Sequence, residues 1–125
     1  MSNEIFQKIF DILNPTLPTK WKKMIFYVAY YKGSYSMKYY TSDKEGVFTD
    51  CFSQKGANKA MLIKTFIGIN KILLEERNTL ADKDRWSVMT MIVDSNGSIK
   101  AEFDYTDISE EPIEYEKKWK ETYII

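Results

Sequence analysis

Ile5, Phe6, Ile9, Phe10, Ile12 and Leu13 recur at intervals of three and four, which gathers them on one side of a helix, and Ser2 stands where a capping residue belongs. Asn14-Pro15 and Leu17-Pro18 end that helix, because proline has no N–H to donate and disfavours helix in the residue before it. From Trp21 to Tyr31 the chain is aromatic and β-branched, and from Met24 both alternating sets are apolar, which predicts a central strand. Lys32-Gly33-Ser34 is a turn signal, Tyr35 to Thr41 reads as the returning strand, and Asp43-Lys44-Glu45-Gly46 leads to a short strand from Val47 to Phe52.

The longest periodic stretch, Asn58 to Asn78, places Leu62, Phe66, Ile69 and Leu73 on one helical face. Gly68 in its middle costs about 1 kcal/mol of helix propensity against Ala, which suggests close packing on the sheet. Trp86 to Val93 and Ser98 to Tyr105 flank the hairpin turn Asp94-Ser95-Asn96-Gly97. In the second of these strands Ile99, Ala101, Phe103 and Tyr105 face one way, and Lys100, Glu102 and Asp104 the other. Pro112 suits the first turn of a last helix, on which Tyr115, Trp119 and Tyr123 recur at helical spacing. The order α-β-β-β-α-β-β-α with short links predicts an α+β fold, an antiparallel sheet of about five strands with packed helices, and residues 1–125 read as a single domain.

Composition narrows the chemistry. The 125 residues include no histidine and one cysteine, so the triads that need an imidazole base are absent, and Cys51 alone closes neither a disulfide nor a zinc site. Asp50 beside Cys51 has the wrong sign to activate a thiolate, which leaves a small buried apolar role. The five glycines are scattered and form no phosphate cradle. No cofactor is expected. The N-terminus lacks the apolar run of a secretory signal and no segment approaches the ~20 apolar residues of a membrane span. With a single thiol, a cytoplasmic protein without membrane contact is expected.

Charge is balanced at 18 bases and 18 acids but unevenly placed: residues 1–100 hold 15 bases and 10 acids, whereas residues 101–114 hold six acids and no base. Those acids are Glu102, Asp104, Asp107, Glu110, Glu111 and Glu114. Nucleic-acid binders concentrate bases instead, so direct nucleic-acid binding is not expected. Asp104 and Asp107 form a weak metal or proton-transfer signal, outweighed by the ordinary solvated role of surface carboxylates. Asp104 also stands where an aspartate hydrogen-bonds nearby backbone and caps a turn. Residues 26–40 hold seven aromatics, six of them tyrosines. Tyrosine-rich surfaces suit protein recognition, and Tyr31, Tyr35 and Tyr39 are the candidate anchors.

The segment from Trp86 through the Asp94–Gly97 hairpin to Phe103-Asp104-Tyr105-Thr106-Asp107, followed by Trp119-Lys120 and Tyr123-Ile124, resembles the YezG-like immunity proteins. The front half agrees in layout: an amphipathic helix, a Trp-Lys-Lys start to the first strand, a tyrosine-rich hairpin and a long central helix. That family includes the antitoxin of a staphylococcal nuclease toxin exported by type VII secretion. The resemblance implies a non-enzymatic cytoplasmic protein that binds and silences a toxin, often a nuclease. Carboxylates of Glu102, Asp104, Asp107, Glu110 and Glu111 would then face an electropositive active site, with tyrosines as anchors. Two other readings stay open: a small-ligand or regulatory module using the tyrosine-lined sheet, and a metal-assisted enzyme centred on Asp104 and Asp107.

Overall fold

The computed structural model describes residues 1–125. Helix α1 (Asn3–Leu13) runs into a 3₁₀ turn at Asn14–Thr16, where the first proline stops the ladder. Strands β1 (Lys23–Tyr31), β2 (Ser34–Ser42) and β3 (Phe48–Asp50) precede the long helix α2 (Lys59–Asn78). A 3₁₀ turn at Asp82–Asp84 leads to β4 (Val88–Asp94) and β5 (Ile99–Asp104), and α3 (Pro112–Tyr123) closes the chain. The sheet has five antiparallel strands in the order β3-β2-β1-β4-β5, so the fold is α+β with the anticipated element order. No helix is long and apolar enough to cross a membrane.

β1 lies in the centre, and Tyr27 stands opposite both Lys38 of β2 and Thr90 of β4. Its alternate residues therefore meet two different layers. Met24, Phe26, Val28 and Tyr30 join Ile9 and Leu13 of α1 and Leu62, Phe66, Ile69 and Leu73 of α2 in the larger core. Ile25, Tyr27 and Ala29 join Tyr40, Val88 and Trp119 of α3 in a smaller one. The molecule is thus three layers, with two helices on one face of the sheet and one on the other.

Local chemistry sets the element ends, and in several places moves them from where the sequence pattern put them. The third strand stops at Asp50, because Asp50 Oδ1 accepts from Phe52 N–H (2.8 Å) and its carbonyl from Ser53 N–H (2.9 Å), turning the chain. Cys51 is buried inside that turn, and desolvation pushes its thiol up to about 11. Ser2 precedes α1 but caps it only with its carbonyl, which accepts from Ile5 N–H at 3.1 Å. Asn58 caps α2 with its side chain, accepting from Met61 N–H at 3.0 Å. Gly68 does not approach the sheet: a Cβ there meets nothing within 4 Å. Gly33 does carry a conformational demand, because its φ of 79° is the left-handed one that the β1–β2 turn needs at that position.

Candidate partner-binding surface

β5 ends at Asp104 because its carboxylate takes over the hydrogen bonding of the chain beyond. Asp104 Oδ1 accepts from Thr106 N–H (2.9 Å), and Oδ2 accepts from the Tyr115 hydroxyl of α3 (2.7 Å). Ser87 Oγ donates to the Thr106 carbonyl at 2.6 Å, holding the same turn from β4's side. Partial desolvation pushes the Asp104 carboxyl up, but the donors from Thr106 and Tyr115 outweigh it and hold it below the usual carboxylate range. The turn expels Tyr105 from the strand pattern. Instead of continuing the face of Ile99, Ala101 and Phe103, its ring is 58% exposed.

Three residues on, the device repeats. Asp107 Oδ1 accepts from Ser109 N–H at 3.0 Å, a bond that keeps this fully exposed carboxyl below its ordinary range. Ser109 Oγ in turn accepts from Lys32 N–H at 3.1 Å, tying the β1–β2 turn to the acidic loop. Pro112 opens α3 with Glu111 as the residue before it, and Glu111 makes no side-chain cap. Asp107, Glu110, Glu111 and Glu114 line one open cleft of about 530 Å³ together with Tyr115 and one base, Lys118. Glu102 stands further along β5, exposed, where its charge helps burial to raise the neighbouring Tyr123 hydroxyl's pKa.

Trp119 holds α3, and with it this ridge, on the sheet. It is 4% exposed, its ring centroid is 4.6 Å from that of Tyr27 and 5.3 Å from that of Tyr123, and Nε1 donates to Thr90 Oγ1 at 2.8 Å. This half of the Trp119 signature is therefore structural.

The three tyrosines expected to anchor a partner do not share a surface. Tyr39 is fully buried: it pairs with Phe26 on the α2 face, its hydroxyl donates to the Thr16 carbonyl (2.9 Å), and it accepts from Gln54 Nε2 (3.0 Å). It is a core residue and offers nothing to a partner. Tyr31 lies half-buried on the α3 face, while Tyr35 lies on the other face with its ring 6.0 Å from that of Tyr30. A wider cleft of about 820 Å³ sits among Thr19–Lys22, Asp43–Glu45 and Ser95. Trp21 is its one apolar lining residue, unlike the mostly apolar lining of small-molecule pockets.

Sequence reasoning missed Ile113, which is 86% exposed and stands between Glu111 and Glu114 beside the glutamate cleft. The signal was present: Tyr115, Trp119 and Tyr123 define the inner side of α3, and Ile113 falls about 120° away from their mean direction. An apolar side chain left in water among carboxylates is the kind of group a partner covers.

The family model for YezG-like immunity proteins matches residues 2–124, nearly the whole chain. The chain belongs to the YezG-like immunity protein family. No curated protein matches it. Membership assigns an immunity role and makes the natural partner of this YezG-like chain a toxin. The loop and helix just described are the region where the fold exposes most acid and two unshielded large apolar side chains, Tyr105 and Ile113.

Proposed function

We propose that this chain, acting as one domain in the cytoplasm, neutralises a nuclease toxin exported by type VII secretion, binding it one to one without turnover. Glu110, Glu111 and Glu114, flanked by Glu102 and Asp107, face the cationic groups with which a nuclease holds phosphates, and Ile113 and Tyr105 supply apolar contact at the centre. Asp104 positions the loop rather than meeting the partner, and Tyr31 lies at the rim. The observation that carries this reading is the segment 101–114, in which Tyr105, Ile113 and all four glutamates are exposed and no base occurs, Lys118 being the one base that lines the glutamate cleft. Opposite charge steers the encounter and adds on-rate before any contact forms.

The test begins with co-expression of the chain and a nuclease toxin domain, purification through a tag on the toxin, and a nuclease assay of the complex. Stoichiometric recovery with activity suppressed supports the reading. Glu102→Lys, Glu110→Lys and Glu111→Lys together should slow association about tenfold or more at low salt and flatten its salt dependence. An unchanged on-rate with unchanged salt dependence refutes the acidic ridge.

A further inference from the structure

α2 carries a second apolar face that no element of the fold covers. Leu62, Phe66, Ile69 and Leu73 point into the core, yet Ile63, Ile67 and Leu74 are 44%, 47% and 37% exposed. With Asn70 they follow the intervals four, three, four, which is the repeat of a helix-pairing seam, over about 16 Å of helix. Seen down the axis the seam lies about 100° from the centre of the buried face, so it is a separate stripe and not the edge of the core. Asn70 is fixed within it, because Tyr30 donates its hydroxyl to Asn70 Oδ1 at 2.6 Å. The amide's own N–H groups remain to meet a partner.

Lys59, Lys64 and Lys71 are exposed and occupy the positions that border such a seam. Their placement selects the occupant. An antiparallel pairing of two copies sets Lys64 against Lys71 twice, and a parallel pairing sets Lys59 against Lys64, so a second copy meets lysine with lysine in either direction. A narrow seam of three apolar side chains also suits one helix better than a lipid surface, which takes a broad apolar face with aromatic residues.

We propose that the outer face of α2 docks an amphipathic helix of a partner protein whose apolar stripe is bordered by aspartates or glutamates. This surface lies on the opposite layer of the sheet from the glutamate ridge, and the proposal stands independently of what that ridge binds. It gives the chain two interaction surfaces of opposite sign.

The experiment is an amide chemical-shift titration of the full chain with two synthetic helical peptides of about 21 residues. Both carry leucines at the seam spacing; one has glutamates and the other lysines at the bordering positions. The glutamate peptide should shift the amides of residues 63–74 and bind at least tenfold more tightly than the lysine peptide. Lys64→Glu with Lys71→Glu, both on the exposed surface, should reverse that preference, and Ile67→Asp should abolish binding of either peptide. Equal binding of the two peptides, shifts confined to other residues, or no shift with either peptide overturns the proposal. So does a response of residues 63–74 to anionic phosphatidylglycerol vesicles or to protein dilution in place of the glutamate peptide, since these outcomes assign the face to a membrane or to a second copy.

Discussion

Removing the Trp119 side chain should detach α3 and the glutamate ridge it carries. Trp119 is the one buried residue of that helix, packed at a tilt against Tyr27 and Tyr40 with ring centroids 4.6 and 5.8 Å away. Truncating a buried tryptophan to alanine costs about 3–5 kcal/mol, against a total stability of roughly 5–15 kcal/mol for a domain. The polar part separates in a double-mutant cycle. Thr90, 3% exposed, accepts the Nε1 hydrogen bond at 2.8 Å, so Trp119→Phe and Thr90→Val each leave one buried partner unsatisfied, at about 1–3 kcal/mol apiece. Together they leave neither, so the double variant should cost less than the sum of the two by about 1–3 kcal/mol. Urea unfolding with the slope checked for constancy measures each step. Strictly additive costs would mean that this bond is not part of the folded state, and a loss below about 1 kcal/mol for Trp119→Ala would mean that α3 is held by something else.

Gly68→Ala should stabilise by up to about 1 kcal/mol and raise Tm by a few degrees, since the added methyl meets nothing within 4 Å and alanine is the better helix former; a fall in Tm contradicts this. The Tyr27 hydroxyl is buried without a hydrogen-bond partner in the protein, so Tyr27→Phe should be neutral or stabilising within about 1 kcal/mol, and a larger loss in urea unfolding would reveal a bridging water or other hidden partner. The Asp104 carboxyl has a folded pKa below its unfolded one, so its contribution is present above the unfolded value of about 4 and is lost as pH falls through the folded value. Asp104→Asn should therefore reduce the drop in Tm between pH 5 and pH 2, while lowering stability at neutral pH. Burial raises the folded pKa of Tyr27, Tyr30, Tyr40 and Tyr115, so their share of stability is complete below the unfolded value of about 10 and is lost as pH rises beyond it. Thermal melts from pH 8 to 12 should fall steeply above about pH 10, and a flat profile would refute that burial.

Periodicity sufficed for the helices, and the apolar run of β1 on both alternating sets pointed correctly to the centre of the sheet. Strand alternation separates Tyr30 from Tyr31 but does not say which face a later helix covers. Whether Tyr39 meets solvent or core was decided by α2 and the turn at residues 51–54, which are distant in sequence. Tyr105 shows the other limit. Its place in an alternating run argued for burial, and one Asp104–Thr106 hydrogen bond ended the strand a residue earlier. The exposed Ile113 was legible, since the inner side of α3 follows from Tyr115, Trp119 and Tyr123 alone. So was the α2 seam, since Ile63, Ile67, Asn70 and Leu74 each follow by one residue a member of the buried face Leu62, Phe66, Ile69 and Leu73.

The acids of residues 101–114 divide by residue type into two jobs. Both aspartates, Asp104 and Asp107, accept from backbone N–H groups two residues ahead, a reach that suits the short side chain. All four glutamates, Glu102, Glu110, Glu111 and Glu114, project into water. The aspartates therefore shape the loop and the glutamates charge it. A loop pinned at Thr106, at Ser109 and through Ser109 to Lys32 holds its charges in place before a partner arrives, so less ordering entropy opposes binding. Crowding four like charges works against folding, and the fold offsets this by placing Glu111 and Glu114 at the start of α3, where the helix dipole favours negative charge. A cationic partner would relieve the remaining repulsion.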